Sequence, residues 1–352
     1  MNDRIKFSGH TMGAPQWDIY QVIKEFKKIG YDGIEVRVAA DGQINSETIT
    51  DAECRKIRAA ADKEGMEFSC LVSYYQNFVN LEMRDSVIKN LKRVAEIAHL
   101  LHCPLIRVYG GVEPFSTAIP VEIKDAKGKK QTVIGSGTWF CDCWSRTVSG
   151  IREVAKYAAT LGVGIAVETH VGSITMSIRD TVRLIQDINM ANVGILFDYA
   201  WVELAGVESG AQAVYAAAPY IVHCHVKDWT LEQRFPIKKK SCLMGKGTVR
   251  WAETLTALKE VGYTGYVSDE YEKYWYPKEL PSTEDGMGHN LNFVKSFVLG
   301  ETKKAAKPAA KKAAAKPVAK KAAAKPVAKK AAVKPVAKKA AKPAAKKVAK
   351  KK

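Results

Sequence analysis

Along the first 300 residues, short apolar runs alternate with longer stretches whose apolar residues recur every three or four positions. The runs are KFSG near residues 5 to 9 (Ile5 to Gly9), GIEVRV at 33–38, EFSCLVS at 67–73, PLIRVYG at 104–110, GIAVE at 164–168, GILFD at 194–198, IVHCH at 221–225 and YVSDE at 266–270. The last four have the length and β-branched content of buried strands. Between them the period changes to 3.6: Ile19, Val22, Ile23, Phe26 and Ile29 share one helical face, as do Val87, Leu91, Val94 and Leu101. Gly30, Gly65, Gly162 and Gly262 follow the helical stretches, where a left-handed C-terminal residue costs little. Eight strands alternating with helices predict an α/β fold, a (β/α)8 TIM barrel, and residues 1–300 suit one such barrel with insertions.

Four of the runs end in a residue that can bind a metal: Glu168, Asp198, His225 and Glu270. A single strand-end carboxylate is ordinarily a helix cap or an ion-pair partner, and a lone His a satisfied polar residue. At the carboxyl ends of successive parallel strands, however, the four converge on the face where such a barrel keeps its chemistry. Three carboxylates and one imidazole suit one divalent ion: Mn, Mg, Co or Zn. Side chains two apart on a strand share a face, so His170 lies beside Glu168, and His223 and Lys227 flank His225. These three are candidates for substrate contacts or for hydrogen bonds to the ligands. Arg107, Glu35 and Arg37, also on strands, could bind a substrate hydroxyl, carboxylate or phosphate, or form structural ion pairs; the latter is favoured for Glu35.

VETHVGSITMSIRDTVRLIQDINMANVGILFD, then HCHVKD, GKGTVRW and GYTGYVSDEYE, together with the opening GYDGIEVRV, resemble the sugar phosphate isomerase/epimerase family, the xylose isomerase-like barrels. The resemblance implies that Glu168, Asp198, His225 and Glu270 are the metal ligands, that His225 rather than His223 is the imidazole, and that Glu168 and Glu270 handle protons on either side of a substrate carbon. An ion chelating a carbonyl and a neighbouring hydroxyl acidifies the adjacent C–H, and two carboxylates can serve as base and acid. The leading expectation is isomerisation or epimerisation of a small sugar or sugar derivative; the alternative is dehydratase or lyase action on an oxidised sugar or glycoside. The resemblance also makes a homo-oligomer an expectation. Two departures stand out. Many family members carry a His three residues after the strand-six Asp, where this chain has Trp201, a wall for stacking on a sugar ring or an aromatic aglycone. The stretch 111–146 is long for its place and reads as a lid or binding loop over the catalytic face. Within it VEIKDAKGKKQTVI predicts a β-hairpin, and Trp139, Phe140, Trp144 and Arg146 are expected close together, roofing the pocket or meeting another subunit.

The charge of the chain is unevenly placed. Residues 301–352 hold twenty Lys and one Glu, a net +19 against +18 for the whole chain, so residues 1–300 are nearly neutral. This tail repeats a unit close to AAAKPVAKK, with Lys307, Lys316, Lys325, Lys334 and Lys342 each preceding a proline. Regular prolines interrupt any helix, and nothing large and apolar is available to bury, so disorder is expected. The tail resembles the lysine-rich segments of linker histones, which implies salt-sensitive, sequence-independent attachment to nucleic acid or another polyanion. The alternative is a solubilising extension with no selected partner. A basic tail on this barrel raises an endonuclease IV-like DNA repair enzyme as a rival, but that three-metal chemistry needs further His and Asp ligands, and Trp201 stands where one would be. A non-catalytic barrel tethered to nucleic acid is a second rival. Seven Cys with no framework spacing, and no signal or membrane-spanning run, lead to the expectation of a cytoplasmic protein without membrane contact, nucleoid-associated through its tail.

Overall fold

The computed structural model describes residues 4–112, 120–134, 139–234 and 236–299. The lysine-rich tail, with Lys307, Lys316, Lys325, Lys334 and Lys342, lies outside the described residues, as do 113–119 and 135–138 of the long insertion. Eight parallel strands close into a barrel: β1 (Lys6–His10), β2 (Gly33–Val38), β3 (Glu67–Ser73), β4 (Leu105–Tyr109), β5 (Gly164–Glu168), β6 (Val193–Asp198), β7 (Ile221–Val226) and β8 (Tyr266–Asp269). Each pairs with its neighbours in the chain, and β8 pairs with β1 to complete the ring. The expected TIM barrel is therefore the fold.

Around it run α1 (Ile19–Ile29), α2 (Asp51–Glu64), α3 (Leu81–Leu100), α4 (Phe140–Thr160), α5 (Ile178–Ile188), α6 (Tyr199–Ala205), α7 (Gly210–Ala217), α8 (Trp251–Glu260) and α9 (Thr283–Val298). The first shows why these stretches are helical. Asp18 caps the start by accepting from the Gln21 N–H, and Gly30 ends it at φ 105°, a conformation that favours glycine. Ile19, Val22, Ile23 and Phe26 are buried against the sheet. At about 1.5–3 kcal/mol per buried side chain, that face rather than intrinsic propensity fixes the helix.

Two antiparallel hairpins decorate the barrel. Pro120–Lys124 pairs with Lys130–Ile134 within the long insertion, as its alternation predicts, and Asp125 Oδ1 closes the turn by accepting from the Lys127 and Lys129 N–H groups. A second, unanticipated hairpin pairs Asp228–Gln233 with Lys238–Cys242 directly after β7. Helix α4 begins at Phe140, within the stretch expected to remain insertion up to Arg146. The reason is the buried face Cys143, Thr147, Val148, Ile151, already periodic from the first turn, with Asp142 favourably placed against the helix dipole. Of the insertion aromatics, Phe140 and Trp144 lie together as expected, with ring centroids 5.8 Å apart. Trp144 donates its indole N–H to Asp187 of α5 and Arg146 bonds the Val79 carbonyl, while Trp139 and Phe140 are exposed. Among the described residues no helix is long and apolar enough to cross a membrane.

Candidate metal centre

Parallel register brings the four strand-end residues together. Asp198, the last residue of β6, is paired with His225 of β7, which is paired in turn with Ser268 of β8; Glu168 ends β5, and Glu270 follows β8 directly. All four side chains are buried, and one donor atom from each lies within 4.8 Å of the others. His225 Nδ1 stands 3.4 Å from both Glu168 Oε1 and Glu270 Oε2 and 3.9 Å from Asp198 Oδ2.

The polar atoms at this point are short of partners. Glu168 Oε1, Asp198 Oδ1 and His225 Nδ1 are buried and accept or donate no hydrogen bond. Each such atom is costly unless something satisfies it. Three carboxylates and an imidazole nitrogen around one spot are the donor set of a hard or borderline divalent cation, so these residues fit a metal ion.

Further charged side chains surround these four residues. Arg107, from β4, gives Nη1 to Glu168 Oε2 and Nη2 to the Ser73 carbonyl, both at 2.6 Å. Lys227 gives its ammonium to Asp198 Oδ2 at 2.5 Å and also to Glu270. Glu35, from β2, accepts from His225 Nε2 at 2.9 Å and from Ser268 Oγ at 2.5 Å, with His223 Nε2 3.1 Å away. Burial drives the Asp198 carboxyl up, to about 7, against the pull of Lys227, with Glu270 and Glu168 adding to the rise. For Glu270 burial acts in the same direction, but Lys227 and His225 outweigh it and hold the group well below the carboxylate range. For Lys227 burial alone would lower the ammonium; Asp198 and Glu270 reverse that and raise it.

The other residues singled out in the sequence divide. His170 packs its ring edge-on to Tyr109, at 5.2 Å, and against Trp201, at 4.5 Å. Trp201 sits in the first turn of α6, directly after Asp198. Its ring also meets Trp229 at 4.9 Å, with the ammonium groups of Lys227 and Lys239 4.9 and 5.5 Å from its centroid. The indole expected to stack on a substrate is thus packed by the protein's own side chains, because the unanticipated hairpin brings Trp229 and Lys239 up to it. Arg37 pairs with Asp41 at 2.7 Å and lies 4.2 Å from the Tyr274 ring centroid.

Three features escaped sequence reasoning. His10 ends β1, is fully buried, accepts from the Met12 N–H through Nδ1 and leaves Nε2 without a partner. Its place at a strand end was the available signal. Lys239 is held by Glu272 at 3.1 Å and lies 4.3 Å from the Trp229 centroid and 4.5 Å from that of Tyr276. Asp228 accepts from the backbone N–H groups of Trp229, Gly245, Gly247 and Val249, which fastens the GKGT turn beneath the hairpin.

Comparison with known proteins agrees with this architecture. The chain is 23% identical to a D-psicose 3-epimerase of Agrobacterium fabrum over 248 residues, 70% of this chain and 76% of that protein. It is 26% identical to an inosose dehydratase of Yersinia enterocolitica over 167 residues, 43% of this chain and 55% of that protein. Its fold matches the crystal structure of the IolI protein with a bound zinc atom at a TM-score of 0.67, with 16% identity over 84% of this chain and 98% of that one. The sequence profile of the xylose isomerase-like TIM barrels matches residues 23–297, and the chain belongs to that family.

Proposed function

We propose that the protein is a metal-dependent isomerase or epimerase that removes a proton next to the carbonyl of a small, uncharged sugar or sugar derivative. The observation that carries this reading is that Glu168 and Glu270, from different strands, each bring a carboxylate oxygen to 3.4 Å from His225 Nδ1. Strands β5 and β8 are three apart around the ring of eight, so the two carboxylates approach from well separated directions. One can take a proton from a carbon held between them while the other returns one. The ion, when bound, polarises the substrate carbonyl and favours the charge that develops on its oxygen. Arg107 holds Glu168 by its second oxygen, and Lys227 holds Glu270 and Asp198, so the bases are oriented before substrate arrives.

Charge balance supports an uncharged substrate. The cations nearest the centre are each committed to a carboxylate: Arg107 to Glu168, Lys227 to Asp198 and Glu270, Lys239 to Glu272, and Arg37 to Asp41. A phosphate or carboxylate substrate would compete with these carboxylates for the same cations.

One feature favours a second reading, dehydratase or lyase action on a keto sugar. That feature is the likeness to an inosose dehydratase over 167 residues. The endonuclease-like reading has less support: the other group of possible ligands among the described residues, Glu35, His223 and His225, shares its imidazole with the first. Incubating the metal-loaded protein in D2O with a panel of ketoses and 3-keto sugars separates these readings by NMR. Deuterium at the carbon beside the carbonyl with the carbon skeleton retained supports epimerisation or isomerisation. Loss of water or of an aglycone identifies elimination. No exchange across the panel, together with no metal retained by the protein, refutes both.

A further inference from the structure

Each anionic residue of the centre is paired with a cation: Glu168 with Arg107 through its outer oxygen, Asp198 and Glu270 with Lys227. The one neutral ligand is backed by an anion. His225 turns Nδ1 toward the three carboxylates and gives Nε2 to Glu35 Oε1 at 2.9 Å. An imidazole can offer a lone pair at Nδ1 only when its proton is on Nε2, and an acceptor fixed behind Nε2 selects that tautomer and stops the ring from turning.

The position of Glu35 is built rather than incidental. β2 and β7 are not neighbours in the barrel; β1 and β8 stand between them, so the bond spans the interior from one wall to another. The Glu35 side chain is entirely buried, an arrangement that is expensive for a carboxylate unless its oxygens are used. Both are: Oε1 by His225, and Oε2 by Ser268 Oγ at 2.5 Å. Ser268 is the register partner of His225 on the adjacent strand, so the residue that steadies the carboxylate lies beside the imidazole that the carboxylate steadies. His223 Nε2, 3.1 Å from Oε1 yet without hydrogen-bond geometry, contributes proximity but no directed bond.

We propose that Glu35 is a positioning residue of the metal centre, holding His225 as the Nδ1 ligand and, through its negative charge, making that nitrogen a stronger donor. This inference rests on the proposed function only in taking the four-residue cluster to bind a cation. It assigns Glu35 no contact with substrate.

The test is metal affinity, measured on full-length, metal-stripped protein by competition for Zn2+ with a chromophoric chelator, with the visible absorption of the Co2+ form as a second readout. Glu35→Ala removes the acceptor and the charge; Glu35→Gln keeps an oxygen for Nε2 but not the charge. The expected loss is ten- to a hundredfold for Glu35→Ala, the usual range for a partner behind a ligand, and a smaller loss for Glu35→Gln, with an altered Co2+ spectrum in both. Affinity and spectrum equal to wild type in folded Glu35→Gln overturn the proposal, whether or not Glu35→Ala folds. Two Zn2+ ions per wild-type chain, one of them lost with Glu35 while the other binds unchanged, also overturn it, by making Glu35 a ligand itself. If wild type binds no Zn2+ and Glu168→Gln changes nothing, the functional reading fails first, and the two failures are told apart.

Discussion

Replacing Lys227 with Met should tighten metal binding even as it destabilises the metal-free protein. The Lys227 side chain is 4% exposed, and its ammonium is shared between Asp198 and Glu270 in a cluster that also contains Glu168 and Glu35. Met fills most of the same volume but leaves the carboxylates without their cation. Removing one partner of a buried pair costs about 3–5 kcal/mol, mostly as the penalty on the charge left behind. With a divalent ion bound, the same carboxylates keep a partner and the penalty is largely absent. The difference between the two states, about 3 kcal/mol, must by reciprocity appear as a gain in metal affinity of roughly a hundredfold.

The measurement is best made at alkaline pH, because burial drives Asp198 up to about 7 even against the pull of Lys227, and in the variant a proton there would substitute for part of the lost charge. Thermal unfolding in excess chelator should show Tm lowered by about 5 °C for Lys227→Met, with most of the difference removed in saturating Zn2+. Chelator competition should give the tighter Kd directly. A variant that binds metal no better than wild type, or that is destabilised equally with and without the ion, would refute the idea that the ammonium and a cation answer to the same carboxylates.

Asp269 is buried and accepts from Tyr31 and Asn290; burial outweighs both bonds and pushes its carboxyl up to about 7. A raised folded pKa gives stability that is fully present below the ordinary value of about 4 and is lost as pH rises through 7, so wild type should lose stability relative to Asp269→Asn between pH 4 and pH 8 in denaturant titrations, and a difference constant with pH would contradict this. Asp228→Ala orphans the backbone N–H groups of Trp229, Gly245, Gly247 and Val249 and should cost at least about 3 kcal/mol in urea unfolding; a cost under 1 kcal/mol would show that the GKGT turn holds itself. Truncation after Gly300 should abolish retention on immobilised DNA, and retention by the full chain should fall steeply with salt, while metal binding by the barrel is unchanged; retention by the truncated protein would place the basic surface elsewhere.

The cluster was legible because parallel strands in a barrel all end on the same face, so that Glu168, Asp198, His225 and Glu270 needed only a strand boundary to be placed together. Strand boundaries were clear: GIEVRV and EFSCLVS are β2 and β3 residue for residue. The hairpin after β7 was not, because DWTLEQ and KKKSC carry few apolar residues, and its inner face is polar or aromatic. Missing it meant missing Trp229 and Lys239, and with them the reason that Trp201 packs against protein instead of standing free. The start of α4 was lost for a related cause: its apolar face is made partly of Cys143 and Thr147, which an apolar count does not register.

The partners behind the ligands belong to a different order of information. Glu35 and His225 are 190 positions apart, and the bond between them depends on which strands face each other across the interior, not on which are adjacent. A charge on a strand read alone is indistinguishable from a structural ion pair, which is how Glu35 first reads, and geometrically it is one. What gives the contact its meaning is the sign: an anion behind the neutral ligand, where cations stand behind the charged ones. Were the barrel merely neutralising buried charge, Glu35 would be expected beside Arg107 or Lys227, where a carboxylate is most easily paired. It lies instead against an imidazole whose other nitrogen has no hydrogen-bond partner. A cation held at that nitrogen would account for the choice.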